Sequence, residues 1–279
     1  MKIKQAKSDF TSSQLPHNRR EVFFDCIKQR WRLLICIGLL LLAFVLPTLI
    51  VDCVADVYGM FATSQFQSGQ ITEKQAFSAV VGTKKISKLC HIVTFAVFAL
   101  GLSGLTRVVR QLLWNEGVFF KTDFSVGVKQ NGLIYSLFGA ACGLVDFCCY
   151  IVRMSKMQVV WQVLPQVISL ALLLPIVAFV LSYETVYADG VWKTTKNSFL
   201  LYFKTVPQTL IALIFAVSPC FLVLISNILL KYLLLTIVIL LFAPLCLMEW
   251  QLYCYGVFDK HINIYTYPEI LNKGIETEV

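Results

Sequence analysis

Hydrophobic and polar positions fall into long blocks along this chain, not into the short periods of an amphipathic helix or strand. Six blocks are almost wholly apolar, and each approaches the length that a helix needs to cross a hydrocarbon core roughly 30 Å thick. Transmembrane β-strands would instead show about ten residues of alternating character. The pattern therefore predicts an all-α bundle of transmembrane helices. The blocks are Leu33–Val51, Leu89–Leu105, Gly132–Val152, Gln158–Leu181, Thr205–Ile225 and Ile228–Met248.

The polar segments between the blocks predict how the helices are arranged. We expect three helical hairpins in one membrane domain over 33–250, with a basic tail at 1–32 and a second tail at 251–279. The second block is short and the fifth and sixth nearly touch, so five and seven spans stay open beside six. Ahead of the first block, Asn18 and Glu21 have the spacing of an N-cap and its partner. This spacing predicts an amphipathic helix in the basic tail.

The composition excludes an ordinary soluble domain. Hydrophobic residues make up 58% of the 279 positions and charged residues 14%, against roughly 45–50% and about 25% in soluble proteins. The net charge of +8 comes from basic residues beside apolar blocks, where they meet lipid headgroups. A nucleic-acid-binding protein would gather them on one folded face. The expected partner is the lipid bilayer, and nucleic acid is not one.

The basic residues also predict an orientation. Most of the 24 lysines and arginines lie in the two tails and in the loops after the second and fourth blocks. The positive-inside rule then places both termini in the cytoplasm. Lys84, Lys85 and Lys88 oppose this assignment, because they precede the second block on the outer side.

A short fragment of the form aromatic-x-x-Gly-Val-aromatic follows every second block. It occupies Trp114–Phe119, Tyr187–Trp192 and Tyr253–Phe258. The aromatic residues suit the membrane interface, and the glycine suits the positive φ that ends a helix. We expect three helix exits that gather into one cytoplasmic face, with interfacial helices after Gly117 and Gly190. Chance matches in an aromatic-rich chain are the alternative.

No motif of common catalytic chemistry occurs in the sequence. There is no Gly-x-Ser-x-Gly, no phosphate-binding loop and no His-Glu-x-x-His. The ten cysteines are dispersed and the three histidines lie far apart in the chain, which favours buried apolar thiols over metal ligands. We expect no catalytic residue, no cofactor and no metal, and therefore no enzyme.

Asp146 is the most informative polar residue, because it lies inside the third block. Ionisable groups at that depth are costly and face a bundle interior or a cavity. Its candidate partners are Lys231, at the start of the sixth block, and Arg153. A structural pairing is one interpretation of Asp146, and a transport or ligand site is the other.

A second charged group is expected where the second and sixth blocks end. Arg107 and Arg110 follow the second block, and Glu249 follows the sixth. A half-buried acid without a partner is costly in a bilayer. We therefore expect at least one of these arginines to pair with Glu249.

Small residues and prolines mark the third and later blocks. Gly139 and Gly143 form a small-x-x-x-small face that lets helices approach closely, either within this bundle or between two copies in a homodimer. Pro175, Pro219 and Pro244 interrupt later blocks. They are either ordinary membrane prolines or signs of the broken helices that line transporter sites.

Residues 104–132, GLTRVVRQLLWNEGVFFKTDFSVGVKQNG, resemble the YesL-like family of bacterial membrane proteins. There a span ends in a basic amphipathic helix, a glycine turn, an Asp-Phe pair and a Lys-x-Asn that enters the next span. The resemblance implies a multi-pass protein of the bacterial cytoplasmic membrane with an accessory role in carbohydrate uptake of the ABC type. It supplies no catalytic residue. The matching positions are Gly117, Asp123, Phe124, Lys129 and Asn131.

Two functions follow as expectations. The first is a non-enzymatic accessory or regulatory protein that docks membrane transporter subunits of a carbohydrate uptake system. The alternative is a small secondary transporter with a site near Asp146.

Overall fold

The computed structural model describes residues 16–155, 157–187 and 189–275. It is 88% helical, and the described residues contain no strand, which confirms the predicted all-α class. The outer parts of both predicted tails, 1–15 and 276–279, lie outside the described residues. The helices are α1 (Arg19–Gln67), α2 (Glu73–Leu113), α3 (Phe120–Arg153), α4 (Val159–Ile168), α5 (Leu174–Val186), α6 (Val191–Lys204), α7 (Val206–Val217), α8 (Ile228–Leu241), α9 (Ala243–Phe258) and the short α10 (Ile264–Thr266).

Four helical stretches are long and apolar enough to cross a membrane, and up to six spans result if two bent pairs each count as one. The four are α1, α2, α3 and the α4–α5 unit. The bent pairs are α6 with α7, at 101°, and α8 with α9, at 49°. Large apolar side chains lie on the outside of these helices, such as Leu133 with 76% exposure and Leu229 with 78%. Because so apolar a surface is suited to lipid, the chain is a membrane protein.

α1 and α2 form a hairpin that is longer than a membrane is thick. α1 has 49 residues with a kink at Arg30, and the part after the kink, residues 31–67, extends about 55 Å at roughly 1.5 Å per residue. Asn18 caps its start by accepting a hydrogen bond from the Glu21 N–H, as the sequence predicts. Arg30 has non-helical backbone angles, φ −126° and ψ 26°, so the predicted amphipathic segment is a short helix of its own that meets the first span at this kink. Thr72 and Gln75 form the capping box that starts α2.

Glycines bring α2 and α3 into close contact. A Cβ atom at Gly143 would lie 2.5 Å from the His91 carbonyl oxygen, and one at Gly139 would meet Phe95 and Ala99. The small-residue face of α3 is therefore filled by α2 of the same chain. Gly139 and Gly143 therefore serve packing within the bundle, and α2 already covers the face through which the sequence allowed a homodimer.

The later helices are broken near the three predicted prolines. A π-helical segment, Ser169–Leu173, precedes Pro175 at the start of α5. A 3-10 segment, Ser218–Leu224, contains Pro219, and Pro244 opens α9 after the bend from α8. α7 and its 3-10 continuation together rise roughly 32 Å, which is enough for one span.

Both ends of the described chain lie at one end of the bundle. Arg19, at the start of α1, forms an ion pair with Asp259, directly after α9. Lys273 forms another with Glu116, in the loop after α2, at 2.6 Å. Within the predicted tail at 251–279, α9 runs to Phe258 and described residues after it, such as Tyr267 and Ile270, pack back on the bundle. We call this end of the bundle the terminal end and the opposite one the distal end.

Candidate functional site: a distal charged cluster and a terminal groove

Charged side chains tie four helices together at the distal end. α1 contributes two aspartates, α2 two lysines, a serine and a histidine, α3 one aspartate, and α8 a lysine and a tyrosine. Spacings of three and four residues along α1 and α2 place their members on facing stripes. We call this group the distal cluster: Asp52, Asp56, Lys84, Ser87, Lys88, His91, Asp146, Lys231 and Tyr232.

His91 joins two aspartates in one half of the distal cluster. It is 2% exposed, with Nδ1 2.8 Å from Asp146 Oδ2 and Nε2 3.1 Å from Asp52 Oδ1. Ser87 donates to Asp52 at 2.8 Å, and Lys88 donates to Asp146 at 3.0 Å. Because ionised carboxylates only accept hydrogen bonds, a doubly protonated imidazolium satisfies both of its contacts at once.

Asp56 organises the other half of the distal cluster. Its carboxylate accepts hydrogen bonds from the ammonium groups of Lys84 and Lys231, and from the Tyr232 hydroxyl at 3.0 Å. Lys231 is 8% exposed, so its charge depends on this partner. Across both halves the three aspartate charges match the three lysine charges, and a protonated His91 adds one positive charge.

Both predicted partners of Asp146 are wrong. Asp146 pairs with Lys88 and His91 of α2, whereas Lys231 pairs with Asp56 of α1. The lysines that opposed the predicted orientation thus have a structural reason, since two of the three neutralise aspartates. The sequence does carry a signal for these missed residues. Lys84, Ser87, Lys88 and His91 recur at three- and four-residue intervals, which is one face of a helix; it is recognisable only beside Asp52 and Asp56, four residues apart on α1.

The three aromatic-x-x-Gly-Val-aromatic fragments gather at the terminal end, as the repeat predicts. The Trp114 ring of the first lies 5.9 Å from Tyr255 in the third. Tyr187 of the second lies 5.7 Å from Phe258, also in the third. Val22 of α1 packs into the same buried core. We call this assembly the terminal face: the three fragments, the start of α1 and residues 259–275.

The glycines of the fragments do not end helices by a positive φ. Gly190 has φ −69°, and Gly256 lies inside α9. After α2 the left-handed residue is Asn115, with φ 54°, rather than Gly117. Asparagine tolerates this conformation better than most residues, so it takes the role that the sequence suggests for the glycine.

Only one of the two expected interfacial helices is a separate element. The segment after Gly117 is the start of the 34-residue helix α3. The segment after Gly190 forms α6, which meets α7 at 101°. A helix at this angle to a spanning helix has the geometry of the interfacial helix that the sequence predicts. Its rings of Phe199 and Phe203, 4.6 Å apart, point outward from the bundle at about half exposure.

Asp123 and Phe124, two positions of the family resemblance, have clear structural roles. The Asp123 carboxylate is 7% exposed and accepts a hydrogen bond from the Phe119 N–H at 2.7 Å, which satisfies the start of α3. The Phe124 ring lies where a side chain at Gly104 would be, 2.5 Å from an added Cβ. This resemblance segment is thus explained by packing between α2 and α3.

The other three positions of the family resemblance differ from one another in burial. Asn131 is 9% exposed, whereas Lys129 and Gly117 are exposed. A Cβ at Gly117 would meet nothing within 4 Å, so neither packing nor backbone conformation requires glycine there.

The predicted pairing of Arg107 or Arg110 with Glu249 is wrong. Arg107 donates to the Gln130 side chain at 2.5 Å, and Arg110 donates to the Thr185 carbonyl at 2.5 Å. Both arginines therefore face α3 and α5. Glu249 lies on the other side of α9, and among the described residues its buried Oε2 has no hydrogen-bond partner.

Residues 259–275 and the second fragment add ion pairs at the terminal face. The Lys273 ammonium lies 4.5 Å from the centre of the Trp114 ring, in addition to its pair with Glu116. Burial alone would raise the pKa of the Asp189 carboxyl, but hydrogen bonds from Lys193 and Tyr183 hold it below its ordinary value. These contacts hold the exits in one arrangement.

A groove of about 790 Å³ opens between the start of α1, the end of α9 and the junction of α6 with α7. Its walls combine basic and aromatic side chains. Arg19 is held by Asp259, whereas Arg20 and Lys260 are exposed. Residues that line it include Arg20, Phe23, Glu249, Leu252, Tyr253 and Lys260. We call this cavity the terminal groove.

Among the described residues, no group of three or more His, Cys, Asp or Glu side chains is placed to hold a metal ion. No family model, no curated protein and no solved structure matches this chain. The indications of function therefore come from the distal cluster and from the terminal face with its groove.

Proposed function

We propose that this chain is a non-enzymatic membrane protein that docks and regulates a partner through its terminal face. The observation that carries the proposal is the gathering of three distant exits into one packed surface. A surface built from three fragments and cross-braced by ion pairs is preorganised, which lowers the entropic cost of binding.

Exposed aromatic residues give this face its contact points. Of the aromatic residues that end the three fragments, Phe258 is 1% exposed and supports the core, whereas Phe119 is 75% and Trp192 83% exposed. Tyr265, on the segment after α9, is 81% exposed. Aromatic side chains of this kind dominate binding energy at protein interfaces.

The class of partner comes from the resemblance of residues 104–132 to the YesL-like family. We propose subunits of a carbohydrate uptake system of the ABC type, with this chain in a bacterial cytoplasmic membrane and its terminal face in the cytoplasm. The basic residues at the terminal end support that orientation. A reporter that is active only outside the cytoplasm, fused to the C-terminus, should stay silent; a strong signal would contradict it.

The partner is tested by purification from native membranes and mass spectrometry. Transporter subunits should copurify with the wild-type chain and be lost, by about tenfold, with the Phe119→Ala, Trp192→Ala, Tyr265→Ala triple variant. The matched control replaces three exposed aromatics of the distal hairpin, namely Phe61, Phe66 and Phe77. Equal recovery with both triple variants, or recovery of no importer subunit, would contradict the proposal.

A second candidate function, a small secondary transporter, is favoured by one specific observation. His91 lies between Asp146 and Asp52, an arrangement that can hold and release a proton. In proteoliposomes with an internal pH-sensitive dye, such a transporter should show proton flux that Asp146→Asn abolishes and Asp189→Asn leaves unchanged. Normal flux in a folded Asp146→Asn variant, or none in the wild type, would remove this candidate.

A further inference from the structure

The terminal groove carries basic charge that no described residue neutralises. Arg20 and Lys260 both line it and are exposed. Neither makes a hydrogen bond or ion pair with another described residue, in contrast to Arg19 beside them, which contacts Asp259. Two unpaired cations at the mouth of one cavity favour an anionic ligand.

The inner walls of the groove are apolar. Phe23 of α1 and Leu252 and Tyr253 of α9 line it, and Gly256 leaves room between them, since a Cβ there would still lie 3.7 Å from Arg19 Nε. Glu249 also lines the groove, and no described residue makes a hydrogen bond with its buried Oε2. The exposed cations of the lining, Arg20 and Lys260, are therefore the groups that would contact an anionic ligand group.

The level of the groove relative to the membrane indicates which kind of ligand it can bind. Thr205, which ends α6, lies in its wall, and α6 runs across the axis of α7 at 101°. With α6 along the membrane surface, as its angle to α7 suggests for an interfacial helix, the groove would open at the level of the lipid headgroups. A ligand there is already present at high local concentration, with its charge in the interface and its chains in the hydrocarbon.

We propose that the terminal groove binds one anionic phospholipid of the adjacent leaflet. The phosphate contacts Arg20 and Lys260, and the glycerol backbone and the first part of an acyl chain lie along Phe23, Leu252 and Tyr253. A volume of about 790 Å³ falls within the roughly 300–1,000 Å³ of small-molecule sites. The lipid would join the start of α1 to the end of α9, two of the elements of the terminal face.

The test uses the full chain in detergent and native mass spectrometry. Phosphatidylglycerol is titrated against phosphatidylcholine with the same acyl chains, and one phosphatidylglycerol should bind at least tenfold more tightly. The Arg20→Gln, Lys260→Gln variant should lose this preference. The control is Lys28→Gln, Arg32→Gln, which removes equal charge from exposed positions of α1 outside the groove; it should keep the preference.

Other outcomes overturn the proposal. Equal binding of the two lipids, or an equal loss in the control, would show attraction to surface charge without a site. Glycerol 3-phosphate that binds as tightly as the lipid, with the same dependence on Arg20 and Lys260, would assign the groove to a soluble ligand. Phe23→Ala removes apolar wall without changing charge, so unchanged lipid affinity in this variant would exclude the acyl contact.

Discussion

The two charged regions involve opposite halves of α1 and differ in how their charges are paired. In the distal cluster each lysine contacts an aspartate, and the imidazole of His91 contacts two. In the terminal groove, Arg20 and Lys260 contact no described acid, and the Glu249 carboxylate has an unpartnered oxygen. Paired charges between helices hold the helices together, whereas unpaired charges around a cavity are available to a ligand.

The pairing of charges thus supports a structural role for the distal cluster and the proposed ligand-binding role for the terminal groove. Sequence position alone would favour the distal cluster as functional, because Asp146 lies within an apolar block. Once its partners are known, the cluster serves first as a lock between α1, α2, α3 and α8. No sequence motif marks the terminal groove, but Arg20 and Lys260 in its lining form no ion pair with a described residue.

The largest expected effect is the loss of Asp56. Asp56→Asn leaves the ammonium groups of Lys84 and Lys231 without their acid, and breaking a buried ion pair in this way costs about 3 kcal/mol. Chemical unfolding in detergent micelles should detect the change. Adding Lys231→Met should recover part of the loss, because no buried charge then remains at that position. Glu73→Gln, at an exposed acid of the same hairpin, is the control; an equally large loss there would contradict the lock.

Glycines near the two regions should respond with opposite signs. Gly143→Ala forces a Cβ against the His91 carbonyl oxygen, 2.5 Å away, and overpacking of this kind costs about 1–3 kcal/mol. Gly256→Ala, beside the groove, adds an ordinary contact inside α9 and should stabilise by about 0.5–1 kcal/mol. Melting temperatures of the two variants measure the contrast, and a common sign would contradict it.

Removal of the unpaired groove cations should change stability little. Arg20→Gln, Lys260→Gln breaks no ion pair, so the free energy of unfolding in lipid-free detergent should stay within about 0.5 kcal/mol of wild type. With phosphatidylglycerol added, only the wild type should gain stability, because only it binds the ligand. A large loss in lipid-free detergent would place these residues in the structural class.

The smallest effect is expected at Asp189, whose partner Lys193 is exposed. The pKa of Asp189 is lowered on folding, so its stabilising contribution is present above the unfolded pKa of about 3.9 and is lost as the pH falls through the folded pKa. Asp189→Asn should therefore lower the melting temperature slightly at pH 7 and not at the acidic end. A difference from wild type that grows as the pH falls would contradict this sign.

The sequence by itself determined the features that depend on local composition. Six apolar blocks predict membrane helices because transfer into lipid depends mainly on the residues of each block. The cap at Asn18 needs only Glu21, three residues on, and the three prolines mark breaks because each removes a local backbone hydrogen bond. The common position of the three fragments after every second block was enough to predict that they gather.

Only the tertiary structure decided which groups meet. Asp146 and Lys231 lie at similar depths, yet Asp146 contacts Lys88 and His91 because the glycines of α3 turn its face against α2. The Glu249 side chain points into the groove and not towards Arg110, because the rotation of α9 about its axis places it on that side. A change of one residue turns a helix position by about 100°, so the partner of a side chain depends on the rotation and bending of whole helices, which packing sets.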